Sequence, residues 1–410
     1  MGKTAWTLLF LVPGSVAAAA PAAKSVTFTR DVAPIIYNRC AECHRQGQSA
    51  PMSLLTYEQA RPWAKSIREK VSTRAMPPWL AGSGSMHFEN DRSLSQKEID
   101  TIVAWADAGA PKGDDKALPP LPKFADGWTL GQPDVVLKMG EDVPVPADGV
   151  IPYKYFTIPT NFTEDKWIQA SEIHAGNSGV VHHIIAFILE PGQTWGQRGG
   201  GGGGGRGGFN KLSGFAPGEQ PKVFPPGTAK LVKAGSSLVF QMHYTPNGKA
   251  GTDRSYVGLY FAKEPVTRQA LTGTAINAGF VIPAGAGSHE VRSNWTAAED
   301  VRLVDLMPHM HVRGKDFLYT AVFPDGRRQV LLNVPKYDFN WQLLYRFGEP
   351  VRLPKGTRIE CVAHFDNSTA NKFNPDATKD VRWGDQTWEE MMIGWFDYVV
   401  EAEKLSAQNR

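Results

Sequence analysis

Two groups of residues in this 410-residue chain have types and spacings that could do chemistry. The first is Cys40-Ala41-Glu42-Cys43-His44, a C-x-x-C-H string. Its two thiols can add across the vinyl groups of a haem, and the adjoining imidazole can coordinate the iron; the string is the covalent haem attachment signal. A redox dithiol does not need the following histidine, and no second C-x-x-C is present to complete a zinc ribbon. The second axial ligand is expected from Met76, in Arg74-Ala75-Met76-Pro77-Pro78-Trp79, on a loop stiffened by two prolines. A Met/His pair raises the iron potential and suits electron transfer. Met52, Met86 and His87 compete for that role.

The second group is five histidines in apolar, strand-like runs: His182 and His183 in VVHHII, His243 in FQMHY, and His309 and His311 in LMPHMH. An H-x-H pair on a strand projects both imidazoles from one face, because the side-chain period is two. Adjacent histidines point to opposite faces, so His182 and His183 need a local distortion to share one ion. Imidazoles without thiolates suit copper, zinc, iron or nickel, and a methionine beside them tips the choice to copper. His174, His289 and His364 are read as ordinary structural histidines.

These residues must be held by elements of two kinds. Between about 25 and 115 the pattern is helical. Asp31 to Arg39 leads into the haem string, Thr56 and Gln59 form a capping box ahead of Ala60, Trp63, Ile67 and Val71, and Ser95 and Glu98 form another ahead of Ile99, Ile102, Val103 and Ala106. Three helices around one C-x-x-C-H is the plan of a small class I-like cytochrome c. A proline-rich, charged stretch over 111–123 follows, and then strand-like runs continue to the end, clearest at 180–189, 237–245, 256–262 and 303–312. About 285 residues of such pattern exceed one sandwich of about 100 residues, so two are expected. The expected fold is a small all-α cytochrome c domain over 24–115, a linker over 116–124, and an all-β pair of sandwiches over 125–262 and 263–410. Seven consecutive glycines, Gly199 to Gly205, read as a flexible inter-strand loop.

The remaining composition narrows the setting. Lys3, the apolar run from Ala5 to Val12 and the small residues from Ala17 to Ala23 read as a signal peptide over 1–23. No later run is long and apolar enough to span a bilayer. With two of three cysteines committed to haem, Cys361 has no partner for an internal disulfide and is expected as a buried apolar residue. An exported chain carrying a c-type haem belongs in a bacterial periplasm. A net charge of +3 gives no electrostatic footprint for nucleic acid.

The order H-H, lone His in Q-M-H-Y, H-x-H and then Glu389-Glu390-Met391 resembles the copper type II, ascorbate-dependent monooxygenases, the family of peptidylglycine hydroxylating and dopamine β-monooxygenases. The resemblance covers about residues 125–400. It implies two jelly-roll-like sandwiches, each holding one copper. His182, His183 and His243 would bind the electron-relaying copper. His309, His311 and Met391 would bind the oxygen-activating one, with Met392 as the alternative thioether. It further implies O2 as co-substrate, insertion of one oxygen atom into a C–H bond, and a fused haem fed by a periplasmic donor.

The chain departs from the peptide-amidating members where they grip a substrate carboxylate, having Met307, Ile393 and Trp395 at those positions. An uncharged wall of this kind favours a hydrophobic organic substrate. The rival from another class is a haem and copper electron-transfer or copper-handling protein without oxygen insertion. A zinc hydrolase using the same histidines lacks an obvious Glu base beside them.

Overall fold

The computed structural model describes residues 1–2, 25–48, 50–125, 127–195 and 210–401. The signal-peptide reading and the glycine run lie outside the described residues. Among the described residues no helix is long and apolar enough to cross a membrane.

The β part is built from one long sheet, two four-stranded sheets and two small two-stranded ones among the described residues. The long sheet runs in the order Val135–Lys138, Tyr256–Phe261, Lys166–His174, Thr228–Val232, Arg268–Ile276, Ile393–Val400, Val301–His309 and Tyr345–Leu353. A four-stranded sheet of Lys154–Pro159, Ser237–Tyr244, Val181–Leu189 and Lys211–Phe215 covers its first half. Ile168, Ile184, Ala186, Phe240, Met242 and Leu259 fill the core between them. A second four-stranded sheet, His289–Thr296, Arg358–Phe365, Gly314–Val322 and Arg328–Val334, covers the other half over a core that includes Leu306, Phe317, Tyr319, Cys361 and Phe396.

This architecture corrects the expected fold class in two respects. The halves are not independent sandwiches. Arg268 and Gln269 pair in parallel with Thr228 and Ala229, so a single sheet runs through both. Nor is there a separate all-α cytochrome domain. The α-helices span only 4 to 12 residues, and the chain between Ser72 and Gln96 contains none. Instead, Gly82 and Met86 donate their backbone N–H to Asn333 and Leu331, and Glu89 donates to Arg346. Trp79 and Phe88 pack on Tyr345, with ring centroids 4.9 and 5.3 Å away. The apolar residues of this stretch are spent on the β core, and the short helices keep a small core of their own around Phe28, Ile36, Ile102 and Trp105. Both capping boxes form as their sequences dictate, Thr56 with Gln59 and Ser95 with Glu98.

Strand Val181–Leu189 shows how the site is positioned. Its inward residues Ile184, Ala186 and Ile188 enter the first core, while Ile185, Phe187 and Leu189 pack against Met307, Met391, Ile393 and Trp395 of the other half. Both faces are buried, hence the unbroken apolar run. The histidines lie at one end of this interface.

Candidate metal centre

The C-x-x-C-H string follows the helix Ala33–Arg39 directly. His44 Nδ1 lies 3.2 Å from the carbonyl of Met52; donating there leaves Nε2 as the nitrogen available to a metal. Burial, with Cys43 and Glu98 adding to it, pushes the Cys40 thiol up to about 12, opposite to the depressed value a reactive redox dithiol requires. Cys40, Cys43, His44 and Met76 line one cavity of about 580 Å³, within the ~300–1,000 Å³ usual for cofactor sites. Arg39, Arg92 and Arg346 also line it and are cations that could pair with the carboxylates of a bound cofactor. The β part closes the cavity with Gly218, Gln220 and Trp341. Of the competing ligands, Met86 has its thioether 3.5 Å from Gln329 Nε2, His87 is exposed, and the Met52 carbonyl holds His44.

His182, His183 and His243 come together as a group able to hold one ion. The distortion that adjacent histidines require is present: the ladder between Val181–Leu189 and Ser237–Tyr244 slips between Val181 and His183, leaving His182 as the bulged residue. His182 Nδ1 is 3.0 Å from His183 Nδ1 and 3.2 Å from His243 Nδ1. Such spacings suit nitrogens about 2.0–2.1 Å from a shared ion. His183 Nε2 is buried without a hydrogen-bond partner. Burial, then the neighbouring imidazoles, pushes His183 well below its ordinary value and His243 down to about 3, so these rings are neutral ligands at pH 7.

His309 and His311 present their other nitrogens. His309 Nδ1 lies 2.9 Å from Gln342 Oε1 and His311 Nδ1 lies 3.1 Å from the Glu389 carbonyl, which leaves Nε2 as the nitrogen each ring could offer a metal. His311 Nε2 is buried and lacks a hydrogen bond of normal geometry. The strand ends at His309, so His311 is held in place by the loop rather than by the pleat. Glu390, fully buried, accepts from the backbone N–H of His311 at 2.8 Å and of Arg313 at 2.7 Å. His309 pairs with Ile393 and Met307 with Trp395. Met391 immediately precedes Met392 and the strand Ile393–Val400, and packs in one cluster with Met307, Ile393 and Trp395. Met392 points into the opposite core, its thioether accepting from Ser293 Oγ at 3.1 Å.

The two histidine groups share neighbours. The Tyr153 ring lies 5.7 Å from His183, 4.9 Å from His243 and 6.0 Å from His311. Phe339 stacks on His182 at 5.4 Å and touches His311 at 5.9 Å. Sequence reasoning missed Tyr153, Phe339, Gln342, Glu390 and Gly218. Only Glu390 had a local signal, a carboxylate leading into an apolar strand. The three histidines set aside lie elsewhere: His174 meets Glu172 at 2.8 Å, His364 meets Asp316 at 2.6 Å, and His289 opens an edge strand.

Comparison with known proteins adds little to this geometry. No protein-family model matches the chain, and none of the curated proteins matches it. Among solved structures, a structure of infectious bursal disease virus Gx strain aligns over 65% of this chain and 72% of its own, with 8% identity and a TM-score of 0.20. PNGF-II aligns over 65% and 66%, with 9% identity and a TM-score of 0.27. Likenesses this faint carry no argument about the site.

Proposed function

We propose that this chain is a periplasmic copper-dependent monooxygenase of the copper type II, ascorbate-dependent kind. In this reading it inserts one O2 oxygen into a C–H bond of a hydrophobic organic substrate, with electrons delivered through a covalently attached haem. The observation that carries the reading is the gathering of five imidazoles in two sets, four of them buried and His182 half-buried. One set offers three Nδ1 atoms, and the other offers two Nε2 atoms, to which the resemblance adds the Met391 thioether. Copper and haem, when bound, supply the one-electron steps and the activation of oxygen.

The chain's own residues supply position and exclusion. His182, His183 and His243 would close the first site with three nitrogens. His309, His311 and Met391 would leave the second more open, as binding of an exogenous molecule demands. Gln342 and the Glu389 carbonyl fix the tautomers of the second pair. The Tyr153 and Phe339 rings wall both sites. Cys40 and Cys43 would anchor the haem, with His44 and Met76 as its axial ligands.

The test is copper per haem in the mature protein after copper loading and removal of loose ions, followed by oxygen uptake with candidate substrates. Two coppers per haem and incorporation of label from ¹⁸O₂ into product are the expected results. Intact haem without copper overturns the proposal.

A further inference from the structure

Resting on the reading above, we infer that Trp341 is the electron conduit between the haem cavity and the two histidine sites. Trp341 lines the cavity that holds Cys40, Cys43, His44 and Met76. Its two chain neighbours both reach metal-site histidines. Asn340 Oδ1 lies 3.4 Å from His182 Nε2, and Gln342 Oε1 lies 2.9 Å from His309 Nδ1. Phe339, two residues before it, contacts His182, His183, His243 and His311. One short segment therefore touches the cavity and both sites.

The segment is built to hold still. Trp341 N–H donates to the Asp338 carbonyl at 2.9 Å, and Leu343 N–H donates back to the Trp341 carbonyl at 2.9 Å. Gln342 Nε2 donates to the Phe339 carbonyl at 3.0 Å and to Tyr337 Oη at 3.1 Å. Tyr337 Oη in turn donates to the Met310 carbonyl, between the two histidines of the second pair. Electron tunnelling falls off less steeply through covalent bonds and aromatic orbitals than through gaps. Trp341 offers both, an indole at the cavity wall and one peptide link on either side to a residue bonded to a histidine. The step moves one electron and no proton: ferrous haem becomes ferric, and cupric copper at either site becomes cuprous. No bond forms or breaks.

The experiment is anaerobic stopped-flow on the full haem- and copper-loaded chain, reducing the haem and following its visible band as copper takes the electron. Trp341→Leu is expected to slow this step about tenfold, equivalent to about 1.4 kcal/mol in barrier. Haem spectrum, haem potential and copper content should stay as in the parent. Trp341→Phe, which keeps an aromatic ring and the packing, should fall between the two and covers the case in which the leucine variant fails to fold. An unchanged rate in a folded, fully loaded Trp341→Leu or Trp341→Phe protein overturns the inference alone. A parent protein that holds haem and copper but passes no electron between them overturns the proposed function, and this inference with it.

Discussion

Gln342 Oε1 stands 2.9 Å from His309 Nδ1, and the amide that carries it is itself clamped through Nε2 to Tyr337 and Phe339. The carbonyl end must therefore face the imidazole, and the imidazole must carry its proton on Nδ1. One glutamine thus decides which nitrogen of His309 meets a metal.

Replacing it tests that control. Gln342→Ala should weaken copper binding at the His309–His311 site by about 10–100-fold, as loss of an orienting partner does, and leave the His182–His183–His243 site intact. Competition titration with a copper chelator, resolving the two binding steps, reads this directly. Equal weakening of both steps would mean a general loss of structure.

The two adjacent methionines are separable by substitution. Met391 packs among Met307, Ile393 and Trp395 and is the thioether of the proposed second site, while Met392 accepts a hydrogen bond from buried Ser293. Met391→Leu should lower copper affinity at the second site at least about tenfold with little change in stability. Met392→Leu should leave both copper affinities unchanged and cost about 1–3 kcal/mol, because the Ser293 hydroxyl loses its acceptor inside the core. Thermal unfolding and copper titration of the pair give opposite patterns under this assignment.

Gly218 has positive φ, +79°, and a Cβ built on it would lie 2.8 Å from Cys43 Sγ and 2.8 Å from Arg92. A side chain there would press on a thiol that, in the proposed function, has to reach a haem vinyl group. Gly218→Val should lower covalent haem incorporation, measured as haem absorbance per protein after export, and should destabilise the fold by at least about 1 kcal/mol for the backbone conformation. Full incorporation would show that the β part does not crowd the attachment site.

The sequence made local features legible where the chemistry is local. The C-x-x-C-H string, both capping boxes and the strands bearing His183, His243 and His309 could be read from neighbouring residues alone. Even the bulge at His182 followed from two imidazoles on one pleat. What could not be read was pairing. The parallel contact of Thr228 with Arg268 joins the two halves into one sheet, and nothing in either strand's periodicity announces it. Trp79 and Phe88 look like loop aromatics until Tyr345 and Phe347 arrive from far along the chain. The choice between Met391 and Met392 likewise depended on which core each enters, because both faces of that strand are apolar. Gln342 and Phe339 carry no signature, since orienting a ligand requires only position.

The interface behind the histidines buries charge as well as apolar surface, and Asp397 is its hub. Lys222 Nζ lies 2.8 Å and Lys230 Nζ 3.0 Å from its carboxylate, and Thr272 donates to it at 2.8 Å. Asp305 pairs with Lys222 alongside. Burial alone would raise the Asp397 carboxyl, but Lys222, Lys230 and Lys211 outweigh it and hold it well below the usual carboxylate range. The contribution is therefore complete above the ordinary aspartate value of about 4 and is lost as pH falls from there through the folded-state value. Burial also pulls Lys222 down to about 8, so between about 8 and 10.4 the unfolded chain binds more protons at this residue and stability from it rises with pH. Asp397→Asn leaves Lys230 without its carboxylate and Lys222 with Asp305 alone, and should destabilise the protein by about 3–5 kcal/mol at pH 7. The deficit should shrink toward pH 10, where lysines that lose their protons in the fold no longer need the Asp397 carboxylate. Urea unfolding of both proteins at pH 7 and pH 10 measures the two gaps; a gap that stays constant would mean the lysines do not depend on Asp397 for their burial.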